Sequence, residues 1–211
     1  MKKIVLIIIL LLISSLANAL VVTINMDSKV WIDGDYVSRQ PTCTVVTDTS
    51  PAPEVFINGI SQGTMIDAPA NPTFNMKFPV LSPGSYTLEL VTSGVTQSYT
   101  MRVSSKENKI VDKIACVPNP FDPLTETTTI AYVITSAFDG DMIIMKTTGV
   151  PVHRREIRKN QPGGYTGINY VIWDGTSDFT NDPVANGLYL GFILDNDKKV
   201  IGKFKVIIRK Q

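Results

Sequence analysis

The residue types able to carry nucleophilic or metal chemistry are few in this chain: Cys43, Cys116 and the single histidine, His153. A cysteine nucleophile needs an imidazole within hydrogen-bond reach to take the thiol proton. His153 stands in His153-Arg154-Arg155, a basic triplet of the kind that marks a solvated strand edge, and neither a glycine-rich phosphate loop nor a nucleophile elbow accompanies it. The carboxylates are scattered through turns, so no acid-base constellation emerges and the residues point away from an enzyme. Zinc needs more ligands than two cysteines and one histidine supply. Asp174, Asp178, Asn181 and Asp182 form an oxygen-rich turn, but calcium takes six to eight oxygens and the spacing matches no dedicated loop. Capping of turn amides is the stronger reading of that cluster. No metal and no cofactor is assigned.

The chain opens with Met1-Lys2-Lys3, an apolar run from Ile4 to Ile13, and Ala17-Asn18-Ala19. A charged start, a short apolar core and small residues two apart before a cleavage point are the marks of a secretory signal peptide, expected over residues 1–19. The apolar run falls well short of the roughly 20 residues that a membrane-spanning helix needs. The residue directly after Ala19 is Leu20 and not a cysteine, which argues against a lipoprotein. The membrane is then met only through the signal peptide before cleavage. Loss of Lys2 and Lys3 takes the formal charge from +1 to −1, leaving no basic excess to hold nucleic acid or an anionic membrane. In an exported chain Cys43 and Cys116 have two readings. One is a disulfide closing a long loop, with a stabilisation of about 4 kcal/mol in the chain-entropy treatment. The other is a pair of unlinked thiols behaving as small apolar residues, and spacing does not decide between them.

Thirteen prolines and fourteen glycines are spread along the chain and punctuate short segments. With no helical period of useful length, they predict an all-β class. Strands are expected at 20–24, 42–47, 54–57, 73–78, 85–91, 97–103, 110–117, 127–134, 141–146, 152–157 and 203–209, each bounded by turn-forming residues. Val30-Trp31-Ile32-Asp33-Gly34 and Val55-Phe56-Ile57-Asn58-Gly59 share an apolar-aromatic-Ile-Asx-Gly pattern, and both carry a hairpin signature. In Asn169-Tyr-Val-Ile-Trp173, Val171 and Trp173 fall on one face and Tyr170 and Ile172 on the other. The unbroken apolar run Met142-Ile143-Ile144-Met145 suggests a strand buried on both faces. The charged stretch Ser104 to Lys109 marks a boundary. The expected organisation is therefore two immunoglobulin-like β-sandwiches in tandem after the signal peptide, over residues 20–109 and 110–211.

Three motifs in the second half occur in a recognisable order: Val117-Pro118-Asn119-Pro120-Phe121, Trp173-Asp174-Gly175 and Val184-Ala185-Asn186-Gly187-Leu188-Tyr189, followed by a short basic strand. Together they resemble the immunoglobulin-like domain of the flagellar hook-capping protein. The same domain is similar to one found at the C-terminal end of gingipain-like peptidases and other surface proteins exported by type IX secretion. The resemblance covers roughly the last hundred residues. Where the family carries a glycine after the Trp-Asp-Gly motif, this chain has Thr180-Asn181-Asp182, and asparagine takes the left-handed conformation at modest cost. The resemblance reaches only the appended domains of those peptidases, so their catalytic residues have no counterparts here.

It implies an exported, non-catalytic surface or secreted protein whose final domain serves as a sorting and anchoring tail. Its partners would be proteins of the cell envelope or secretion machinery. The alternative is a periplasmic scaffold or cap that binds another envelope protein through exposed strand edges. Processing is directly measurable: mass spectrometry of the exported protein should find Leu20 at its N-terminus. An intact Met1 in the membrane fraction would contradict export by this route.

Overall fold

The computed structural model describes residues 21–48, 51–68, 72–104 and 109–210. The expected signal peptide and Leu20 lie outside the described residues, as does most of the linker. All regular structure among the described residues is strand. The first unit holds β1 (Val21–Met26), β2 (Lys29–Val30), β3 (Thr42–Thr47), β4 (Glu54–Ile57), β5 (Ile60–Thr64), β6 (Ile66–Asp67), β7 (Thr73–Lys77), β8 (Gly84–Thr92) and β9 (Val95–Val103). The second holds β10 (Ile110–Val117), β11 (Thr128–Ile134), β12 (Gly140–Lys146), β13 (Pro151–Ile157), β14 (Gly167–Trp173), β15 (Gly187–Asp195) and β16 (Val200–Ile208). Every pairing between these strands is antiparallel.

Both units follow one plan. In the first, a sheet of order β2-β1-β3-β7-β6 faces one of order β5-β4-β8-β9. In the second, β10-β11-β14 faces β13-β12-β15-β16. Setting aside the two-residue strands β2 and β6, the orders superpose strand for strand in chain sequence. Each sandwich has its own buried cluster, the first including Phe74, Leu88 and Met101, the second Ile130, Ile144 and Trp173. The same corner opens the corresponding strand in each: Gly84-Ser85-Tyr86 in β8 and Gly187-Leu188-Tyr189 in β15. In both, the tyrosine hydroxyl donates to the carbonyl four residues upstream, Ser82 at 2.6 Å and Ala185 at 2.8 Å. Such a tyrosine corner is a mark of immunoglobulin-like sandwiches.

Two local expectations are corrected. Asn58-Gly59 does make the tight β4–β5 hairpin, with both residues at positive φ. Asp33-Gly34 does not turn a hairpin. That turn falls at Asp27-Ser28, between β1 and β2. Asp33 instead accepts the Thr100 amide at 2.6 Å while the Gly34 amide donates to the Thr100 carbonyl. Nor is β12 buried on both faces: Met142 and Ile144 enter the core, whereas Ile143 and Met145 are only half-buried. Beside them, Arg154 grips the buried Asp141 carboxylate with two N–H groups and Lys198 adds a third contact at 2.7 Å. These bonds hold the Asp141 carboxyl below its ordinary range. A depressed folded-state pKa stabilises at pH values above the unfolded one, and that contribution is lost as pH falls through the lower, folded value.

The two sandwiches meet at one carboxylate. Asp35 Oδ2 accepts from Lys29 Nζ at 3.0 Å and from the Ile168 amide of β14 at 2.9 Å, and Oδ1 accepts the Tyr36 amide. Lys29 also donates to the Thr166 carbonyl at 3.2 Å. Burial lowers the Lys29 pKa, with Asp35 opposing that shift. Gly167 is at positive φ, and a Cβ there would collide with the Asp35 carboxylate, so the close approach requires glycine. Asp35→Ala would strand a largely buried ammonium and a strand amide, and should destabilise by about 3–5 kcal/mol. Denaturant unfolding is the check; an unchanged midpoint would show that the ion pair does not hold the interface.

Candidate functional site

The three motifs of the second half are far apart in sequence and meet in space beside β16. Pro118-Asn119-Pro120, with a cis peptide bond before each proline, lies along the outer edge of that strand. Asn119 acts there as a substitute for a neighbouring backbone: its Nδ2 donates to the Lys205 carbonyl at 3.1 Å and its Oδ1 accepts the Ile207 amide at 2.8 Å. Phe121 continues the ladder, donating to the Ile207 carbonyl and accepting from the Arg209 amide. Prolines carry no N–H, and here none is needed from them.

Trp173, 2% exposed, is the centre of the packing. Phe121 and Tyr189 meet it edge-on at centroid distances of 5.8 and 6.1 Å, and His153 stacks on it at 6.0 Å. Its indole N–H donates to the Thr176 carbonyl at 3.2 Å, giving the buried polar atom a partner. Asp174 Oδ1 accepts the Thr176 amide and so shapes the turn. At Gly175, with φ +79°, an added Cβ would lie 2.5 Å from Pro123 Cβ and 3.0 Å from the Phe121 ring. Asn186 Oδ1 takes the Lys210 amide at 2.7 Å, and Lys210 Nζ reaches the Pro183 carbonyl. Within β16 the expected alternation holds, with Phe204, Val206 and Ile208 buried and Lys203, Lys205 and Ile207 exposed. The motif residues thus form one corner that clasps the last strand. Gly191, opposite Phe204 across β15 and β16, leaves room for the Phe204 ring, a contact with no signature in the sequence.

The other candidate residues do not join this corner into a reactive centre. Of the two readings of the cysteines, the structure has the unlinked one: Cys43 is buried in the first core and Cys116 packs against the second. Burial pushes the Cys43 thiol up to about 12 and that of Cys116 up to about 11, the opposite of what a nucleophile needs. His153 Nδ1 lies 2.8 Å from Asp178 Oδ1, and Asp178 Oδ2 accepts the Arg154 amide at 2.6 Å. The Asp174 and Asp178 carboxylates are therefore engaged by backbone amides, and Asn181 takes the left-handed conformation with φ 57°. Among the described residues, no group of three or more His, Cys, Asp or Glu is placed to hold a metal ion.

No protein-family model matches the chain, so the hook-capping resemblance rests on its three motifs. No curated protein matches it either. Similar solved structures include dimeric latent PorU from Porphyromonas gingivalis, at 18% identity over 92% of this chain and 20% of that one, with a TM-score of 0.40. Fibronectin(III)-like modules of Clostridium thermocellum CbhA match at 11% identity over 89% and 94% of the two chains, with a TM-score of 0.33. A Bacteroides ovatus mixed-linkage glucan utilisation protein, SGBP-B, matches at 10% identity over 92% and 61%, with a TM-score of 0.35. The chain thus spans about a fifth of PorU. With every one of these scores below 0.5, the all-β sandwich assignment rests on the strands and topology of the chain itself.

Trp173→Ala should destabilise the second sandwich by about 3–5 kcal/mol, the usual cost of emptying a large aromatic site. A melting curve indistinguishable from that of the parent chain would show that the three surrounding rings do not depend on the indole.

Proposed function

We propose that this chain is an exported, non-catalytic structural or interaction protein of the cell envelope, found at the surface or secreted, whose second sandwich serves as a sorting and anchoring tail. The observation that carries the reading is the convergence of the three hook-capping-like motifs beside β16, with the first and third bonded to that strand or to Lys210 after it and the Trp173 motif packed against both through Phe121 and Tyr189. Asn119 and Phe121 hold one edge of the strand, and Asn186 and Pro183 hold the residue beyond it. These motifs preserve one rigid, folded terminal corner, with Lys203 and Lys205 displayed on its exposed face. A folded recognition surface of this kind suits a tail that transport machinery reads as a domain, as the type IX resemblance implies. The reactive groups support the non-catalytic part of the reading, because the thiols are held protonated and two of the turn carboxylates, Asp174 and Asp178, accept backbone amides.

The second unit has a separate core, which makes a fusion informative. Residues 109–211 placed behind a periplasmically exported reporter, in a host with type IX machinery, should carry the reporter to the surface. A reporter retained in the periplasm with the complete domain attached would eliminate the sorting role and favour the periplasmic scaffold.

A further inference from the structure

Sheet edges expose unpaired N–H and C=O groups and invite further strands, so folded proteins generally cover or charge them. In this molecule the long edges, other than those of the five-residue β5 and of β14, are covered or interrupted. Residues 33–37 lie against β9, with the Val37 amide donating to the Arg102 carbonyl and the Arg102 amide to that of Asp35. Residues 119–121 perform the same service for β16. Asp178 bonds the edge of β13 through its own amide and its carboxylate, and β13 also carries Arg154, Arg155 and Glu156. The bulge between Val111 and Ala115 interrupts β10 beside Asp112 and Lys113. In the first sandwich, β7 is closed by β6.

The counterpart of β7 in the second sandwich is β14, which pairs with β11 alone. Because the Ile168 amide points away from β11 to Asp35, strand alternation directs the N–H and C=O groups of Tyr170 and Ile172 to the same open side. Among the described residues nothing pairs with them there. The segment Gly167–Trp173 contains no charge and no proline. Tyr170 is 54% exposed and Ile172 61%, and across an open groove of about 420 Å³ stand Val30 and Ile32, also more than half exposed. The sole ammonium lining that groove, Lys29, is already paired with Asp35.

We infer that this edge is an interface for a second copy of the chain, with β14 pairing antiparallel to β14 of that copy about a twofold axis through Val171. The strand is complementary to itself in this register. Tyr170 stands opposite Ile172 of the second copy and exchanges both backbone bonds with it, and Ile172 does the same with Tyr170 of the second copy, giving four new hydrogen bonds. Each such pair sets an aromatic ring against a β-branched side chain, a favourable cross-strand combination, and no like charges are opposed. The pairing stops where the structure requires: the next outward amide, Ile168, is taken by Asp35, and the chain turns away at Asp174-Gly175. Two three-stranded sheets become one of six strands, and the exposed apolar residues beside the groove gain cover. An unrelated uncharged strand could use the same groups, but it would lack this symmetry. The inference does not depend on the sorting-tail reading.

Sedimentation velocity on the processed chain across roughly micromolar to several hundred micromolar concentration should show a reversible monomer–dimer equilibrium, the range expected for a small interface. Ile172→Pro removes an outward N–H that β11 does not use, and Tyr170→Lys places a charge at the edge. Either should return the protein to monomer with an unchanged melting temperature. Tyr170→Lys carries the test alone if the proline substitution disturbs the strand. Ile66→Lys, at a still more exposed site elsewhere, should leave the dimer intact. A chain that stays monomeric at the highest concentration overturns the inference, as does a dimer indifferent to both β14 substitutions.

Discussion

The structure turns on how the open backbone of a sheet edge is satisfied without adding a strand. A sandwich built from three strands against four ends with a last strand that has one free side, and a row of unpaired amides and carbonyls there is both costly where shielded and an invitation to misassociation. In each half of this chain the segment after the first long strand crosses over and covers that side. Asp33 and the backbone of Asp35 and Val37 do so for β9, and Asn119 and Phe121 for β16. A short Asx side chain can imitate a peptide group, so one residue both ends the strand segment before it and completes the ladder beside it. Asp35 extends the device: its carbonyl serves β9 while its carboxylate reaches Ile168 in the other sandwich. The contact between domains is therefore edge satisfaction carried across a boundary.

This arrangement explains why the cores can be independent while the halves stay in register with each other. The apolar clusters are distinct, so neither half needs the other for its main source of stability. What joins them is polar, specific and largely shielded, with Lys29 held in a position where burial disfavours its charge. Such a pair contributes little over a well-packed apolar substitute, but removing one partner leaves the other uncompensated. The linkage is accordingly better suited to setting orientation than to supplying bulk stability.

Much of this was legible in the residues. Alternation and turn chemistry located Thr42–Thr47, Glu54–Ile57 and Ile110–Val117 to the residue, because each is bounded by proline, glycine or asparagine and faces a core on one side. Trp173 stood out by size, and the Pro-Asn-Pro motif announced an edge because two prolines cannot donate to a ladder. The tandem of two immunoglobulin-like sandwiches was legible, but the strand-for-strand correspondence between them was not. It is carried by strand order and by the Gly-x-Tyr corners at Tyr86 and Tyr189, whereas the resemblance between residues 30–34 and 55–59 proved to be turn chemistry put to two different uses. Long-range polar contacts were also hidden. Nothing local distinguishes Asp35 from Asp33, yet one bonds within its sandwich and the other bridges to a residue 133 positions away. The free thiols belong to the same class: each cysteine is at home in its own core, and no spacing rule shows which core a side chain enters.

The corner around Trp173 shows how the same economy draws groups that elsewhere do chemistry into the packing. His153 is stacked on the indole and fixed by Asp178, whose second oxygen holds the Arg154 amide. The imidazole, the carboxylate and the adjacent strand are thus parts of a single packing unit, and the turn that presents Asp178 depends on Gly175, where no larger residue fits against Pro123 and Phe121. Phe121 in turn reaches that position only because Asn119 has brought the preceding segment along β16. A change at any of these places propagates through short contacts to the last strand, which makes the integrity of the corner the property its residues jointly maintain.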